Sequence, residues 1–99
     1  MHEENQFVVI GRVVDTYGLK GELKVEPYLE KRHWKKIKRV FLKRKGGDYV
    51  AFELESKKPH GRHLVIRFLG CSSIEDAKRF VSAKIFLRSE EHTSEQSLG

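Results

Sequence analysis

Residues 49–56 read Y-V-A-F-E-L-E-S, and the apolar members Val50, Phe52 and Leu54 fall on every second position. A period of two places one face of a strand on a core and leaves Tyr49, Ala51, Glu53 and Glu55 toward water. The pattern recurs along the chain. Residues 7–14, F-V-V-I-G-R-V-V, are rich in β-branched side chains, with Gly11 at a bend or close contact. Residues 22–26 alternate so that Leu23 and Val25 face inward, and Pro27 ends that strand or leaves it at an edge. Residues 39–44 put Val40 and Leu42 on one face, residues 63–69 put Leu64, Ile66 and Phe68 inward, and residues 84–88 form a sixth short strand.

Turn chemistry separates these runs. Lys45-Gly46-Gly47-Asp48 suits a hairpin, because its glycines accept positive φ, and Pro59-His60-Gly61 marks another turn. Between residues 30 and 37 the period of two is lost, and Leu29, Trp34 and Ile37 share one side of a short helical turn. One true helix is predicted after residue 71. There Ser72-Ser73-Ile74-Glu75-Asp76 sets a capping hydroxyl three residues before a carboxylate, and Ile74, Ala77, Phe80 and Val81 recur at helical spacing. Six short strands joined mostly by tight turns predict an all-β fold: a small, closed or nearly closed six-stranded β-barrel with one short helix before the last strand. Its 99 residues suffice for one domain, residues 1–88, and the polar, unpatterned stretch 89–99 reads as a tail or linker.

Charge directs the functional reading. Twenty Lys and Arg face fourteen Asp and Glu, and three of those acids, Glu90, Glu91 and Glu95, lie after the last base, Arg88. A body this basic suits a polyanionic partner, such as RNA, DNA or anionic lipid. No apolar run approaches the roughly 20 residues that span a bilayer, and Met1-His2-Glu3-Glu4 is unlike a secretory signal, so a cytoplasmic location is expected. Cys71 is the single cysteine and suits a reducing compartment. It reads as a small half-buried apolar side chain, not a nucleophile. One Asn, two Gln, one Cys and one Met among 34% charged residues is a balance found in heat-adapted proteins.

Two stretches are candidates for binding. Tyr17-Gly18-Leu19-Lys20-Gly21 has the letters of a G-x-x-G nucleotide clamp, but it lies between two strands, where that clamp joins helices. It also lacks the spacing of a Walker loop and the helix of a dinucleotide fingerprint. A tight turn is the alternative. The more specific stretch runs through residues 31–44, where Lys31, Arg32, Lys35, Lys36, Lys38 and Arg39 are followed by Lys43 and Arg44 with no acid among them. These cations can neutralise phosphates, and Trp34 offers a ring for an unpaired base. Against this stands a solvated strand edge with Trp34 plugging one mouth of the barrel.

Other chemistry is weakly supported. His60 and His63 could pair across a turn, yet no third ligand sits at metal spacing. Glu53 and Glu55 share a solvated face without the split in acidity that acid-base pairs need, and Ser72 and Ser73 are better used as caps. A non-enzyme without cofactor or metal is expected.

Taken together, residues 7–88 resemble the N-terminal domain of the bacterial ribosome maturation factor RimM family. The blocks that carry the likeness are Val9-Ile10-Gly11-Arg12-Val13-Val14, then Tyr17-Gly18-Leu19-Lys20-Gly21, then Glu22-Leu23-Lys24-Val25. Arg39-Val40-Phe41-Leu42, Leu64-Val65-Ile66-Arg67-Phe68, Ile74-Glu75-Asp76-Ala77 and Lys84-Ile85-Phe86-Leu87 follow in the family's order. The resemblance implies a six-stranded barrel of the translation elongation factor type. It also implies binding to the head of the immature small ribosomal subunit, contact with the nineteenth small-subunit protein, help in folding and processing 16S ribosomal RNA, and no cofactor. Family members usually continue into a second, PRC-type barrel that carries much of the protein contact. A free-standing RNA-binding barrel and a protein-binding adaptor are the alternatives, and the RNA role of residues 31–39 rests on their charge, not on the resemblance.

Overall fold

The computed structural model describes residues 7–43 and 46–89. The chain order is β1 (Phe7–Tyr17), β2 (Glu22–Pro27), α1 (Lys31–Trp34), β3 (Arg39–Lys43), β4 (Tyr49–His60), β5 (His63–Phe68), α2 (Ile74–Lys78) and β6 (Lys84–Arg88). The strands close into a barrel in the order β1-β2-β5-β4-β3-β6, with every neighbouring pair antiparallel. This is the six-stranded barrel expected from the alternation. The predicted tail, apart from Ser89, and Arg44 and Lys45 lie outside the described residues.

β1 runs three residues past its predicted end because it must serve two neighbours. Its first half pairs with β6 and its second with β2, and register shifts at Val9/Gly11 and Val13/Asp15 bend it between them. Gly11 is the close contact that the sequence predicts. A Cβ there would stand 3.0 Å from the Glu26 carbonyl oxygen and 3.2 Å from both Trp34 Cζ2 and Val25 Cγ1.

The inward sets on β2, β3 and β5 are buried as the alternation predicts, and Ile10, Val13 and Ile85 join them in the core. β4 departs from the expectation in two ways. Val50, Phe52 and Leu54 are only half-buried, and Tyr49, expected in water, stacks on Phe7 with ring centroids 3.8 Å apart. Phe41, on the same outer wall, lies under the Arg88 guanidinium at 5.1 Å. An aromatic patch therefore shields the outside of this wall.

β4 also extends to His60, so Pro59 and His60 are strand residues and the turn shrinks to Gly61 and Arg62. In a two-residue hairpin the flanking pair exchanges backbone hydrogen bonds and the next pair does not. Pro59 sits in that next pair, opposite Leu64, where its missing N–H costs nothing. The predicted helix after residue 71 is shorter than its pattern. Ser73 caps it, accepting from the Asp76 N–H at 3.2 Å, while the Asp76 carboxylate accepts from the Ser72 N–H at 3.4 Å. Past Lys78 the bonds tighten to three-residue steps, which turn Phe80 onto the core beside Phe52 and Phe68 and leave Val81 exposed.

Candidate nucleic-acid interface

The basic segment forms a single turn of helix because its apolar residues are spaced for one. Trp34 and Ile37 point into the barrel, and Arg32, His33, Lys35, Lys36 and Lys38 are exposed. Glu30 precedes α1 without a side-chain cap bond, and its carboxylate holds Arg32 Nε at 2.8 Å and lies 3.8 Å from His33 Nε2. Arg32 is thus partly neutralised on the surface.

Trp34 corrects the sequence reading. It is 1% exposed and lies in the hydrophobic core, so its ring is not presented to an unpaired base. The indole plugs the barrel mouth, close to Gly11, and its buried Nε1–H has no hydrogen-bond partner among the described residues.

The extension of β4 brings a second group of cations to α1. Lys31, Lys35, Lys57 and Lys58 line a cleft of about 60 Å³, and Trp34, Pro59 and Leu64 form the rest of its walls. Two of these ammonium groups are tied to neutral acceptors. Lys31 Nζ donates to the Gly61 carbonyl, and Lys57 Nζ donates to the Ile37 carbonyl at 2.8 Å. Lys58 lies 3.7 Å from Glu22, beside the cleft, and no carboxylate lines it. Lys57 and Lys58 escaped the sequence reading because they lie thirteen and fourteen residues beyond Arg44, the end of the basic segment. The pair of lysines before Pro59 was the available signal.

The other predicted residues divide between surfaces. Arg39 opens β3 opposite Glu53, and the backbone of Lys38 accepts from the Leu54 N–H at 2.8 Å, so both sit at the β3–β4 seam. Lys36 is exposed and does not line the cleft. The Tyr17–Gly21 loop is the turn between β1 and β2. Gly18 and Gly21 have φ of 72° and 91°, Leu19 is 75% exposed, and Lys20 is exposed. Tyr17 meets the His60 ring edge-on at 5.0 Å, which links this loop to the strand carrying Lys57 and Lys58. His60 and His63 face each other across the hairpin, and no group of three potential metal ligands occurs among the described residues. Glu55 is engaged by Arg67 at 3.2 Å. No helix among the described residues is long and apolar enough to cross a membrane.

The profile of the RimM N-terminal domain matches residues 8–92 of the chain. The chain belongs to the RimM family. Its similarity to curated RimM proteins includes 46% identity over 86 residues to the ribosome maturation factor RimM of Aquifex aeolicus, covering 87% of this chain and 52% of that protein. The RimM of Photobacterium profundum is 33% identical over 92 residues, covering 92% of this chain and 52% of that one. The chain thus spans about half the length of these RimM relatives. Among solved structures, a Pseudomonas aeruginosa RimM, named there a 16S ribosomal RNA processing protein, superposes with a TM-score of 0.76 at 30% identity, over 86% of this chain and 52% of that one. The N-terminal domain of Thermus thermophilus RimM shares the fold at a TM-score of 0.69 and 23% identity, over 84% of this chain and 89% of that domain.

Proposed function

We propose that this chain acts in ribosome maturation by holding ribosomal RNA of the small subunit in the arrangement that assembly needs. The observation that carries the proposal is the family match over residues 8–92, to relatives named ribosome maturation factor. The basic surface built from α1 and the end of β4 supports the RNA part of it. The work is binding: an RNA fold that fits the surface gains population over misfolded competitors by its differential affinity. No catalysed reaction and no cofactor belong to this reading, and the place of action is the cytoplasm. Contact with the nineteenth small-subunit protein is proposed chiefly for the part of the family's length beyond this chain, with residues 89–99 as the linker toward it.

Titration with a 16S ribosomal RNA fragment at several salt concentrations tests the reading. Binding should weaken steeply with salt, with a log-log slope of roughly −0.7 to −0.9 per phosphate neutralised. Absence of binding at low salt would remove the RNA role and favour a protein-binding adaptor. Leu19 and Leu69, 75% and 62% exposed, are then the surface to probe.

A further inference from the structure

We infer that Tyr28 is the ring on which an unpaired base of single-stranded RNA stacks, the role that the sequence offers to Trp34. The inference rests on the RNA-binding reading above and gives it a residue.

Elimination singles this ring out. The chain has six Phe, three Tyr and one Trp. Trp34 is sealed in the core, and Phe52, Phe68 and Phe80 pack against one another there. On the outer wall Phe7 stacks on Tyr49, while Phe41 meets Phe7 and Phe86 meets Tyr49 edge-on. Tyr17 is met by the His60 ring. Tyr28 has no ring, cation or side-chain hydrogen-bond partner among the described residues. At 49% it is also the one aromatic residue among them that is neither buried nor half-buried.

The backbone of Tyr28 is fixed although its ring is free. Its N–H donates to the Ile10 carbonyl at 2.8 Å, one step beyond the Gly11–Pro27 pair that ends the β1–β2 ladder, and the next residue, Leu29, packs against the core. A tyrosine held this way has only two side-chain torsions to order, so stacking a base on it loses little freedom. Val8 and Val9, just before Ile10, are exposed as well and extend the apolar surface along the strand to which Tyr28 is bonded.

Charge selects the occupant. The carboxylates nearest in the chain, Glu26 and Glu30, are engaged by Arg12 at 3.6 Å and Arg32 at 2.8 Å. Beyond them Lys35 and Lys36 are exposed where α1 ends, with no carboxylate partner among the described residues. The helix is one turn, roughly 6 Å long. Ring and ammonium groups therefore bracket a short stretch of surface that a single strand can follow, with a base on the ring and phosphates at the lysines. A duplex keeps its bases paired and stacked, so the ring should select unpaired nucleotides and tolerate any base.

The test uses the 99-residue chain with oligouridylate and an abasic ribose-phosphate oligomer of equal length, which has the same charge and no bases. The unmodified chain should bind oligouridylate more tightly than the abasic oligomer. Tyr28→Ala should lose about tenfold on oligouridylate and nothing on the abasic oligomer, and should keep its salt slope, since no phosphate contact is removed. Tyr28→Phe, which retains the ring, should bind as the unmodified chain does. Urea midpoints confirm that both variants are folded. Unchanged binding by Tyr28→Ala, or an equal loss on both probes, overturns the stacking role and leaves the RNA function standing. Equal affinity of the unmodified chain for the two probes does the same. If the unmodified chain binds neither probe, or binds only phosphatidylglycerol vesicles, the stacking role and the RNA reading fall together.

Discussion

Gly21 and Cys71, fifty residues apart, clasp each other. The Cys71 thiol meets the Gly21 carbonyl at 3.4 Å, and a Cβ on Gly21 would stand 2.7 Å from the Cys71 carbonyl carbon. The turn between β1 and β2 is thereby closed onto the turn between β5 and α2, with no room for a side chain.

The two glycines of that loop are consequently unequal. Gly21→Ala combines a left-handed backbone with a collision against main chain and should cost roughly 3 kcal/mol. Gly18→Ala meets nothing within 4 Å and should cost only the backbone preference, about 1 kcal/mol. Urea unfolding of the two variants gives the comparison, and equal losses would contradict the clasp.

Gly11 and Trp34 form a second dependent pair. Trp34→Ala should lose about 3–5 kcal/mol by opening a cavity in the barrel mouth. Gly11→Ala pushes on the indole, the Glu26 carbonyl and Val25, and should cost about 1–3 kcal/mol. In a Trp34→Phe background that cost should drop by at least about 0.5 kcal/mol, since the Cζ2 atom is gone. A double-mutant cycle measures the coupling.

Burial of Trp34 also separates stability from binding. Trp34→Phe should unfold at lower urea yet hold RNA with nearly unchanged affinity, because the ring is not a stacking platform. A fall of tenfold or more in a variant still folded would restore the stacking role.

Cys71 gives the fold a dependence on pH. Burial, and secondarily the charge of Asp76, raises its thiol above the ordinary value of 9.0. The folded chain therefore keeps the thiol proton to higher pH than the unfolded chain. Its contribution is complete below the unfolded value and is lost as pH rises through the folded one. The stability difference between the unmodified chain and Cys71→Ala should narrow above about pH 8.5 in urea titrations.

Legibility followed the kind of signal each residue carries. Leu23, Val25, Leu64, Ile66 and Phe68 announce their burial because each repeats at a period of two, and Ser73 announces a cap by its distance from Asp76. Lys57 to His60 carry no such alternation, so the end of β4 was hidden, and the cleft that it forms with α1 was hidden with it. Trp34 was ambiguous because a ring among lysines fits both a core and a base. Only its distance from Gly11 decides, and that is a property of the folded chain.

The strand order has a consequence for the nascent chain. β6 lies between β3 and β1, so until residues 84–88 have been made, both of those strands present bare edges. Five earlier staves can assemble, but the sixth is needed to turn them from a curled sheet into a ring. Folding is then timed to the end of the barrel's synthesis, and a chain stalled before Lys84 leaves two edges open to other strands.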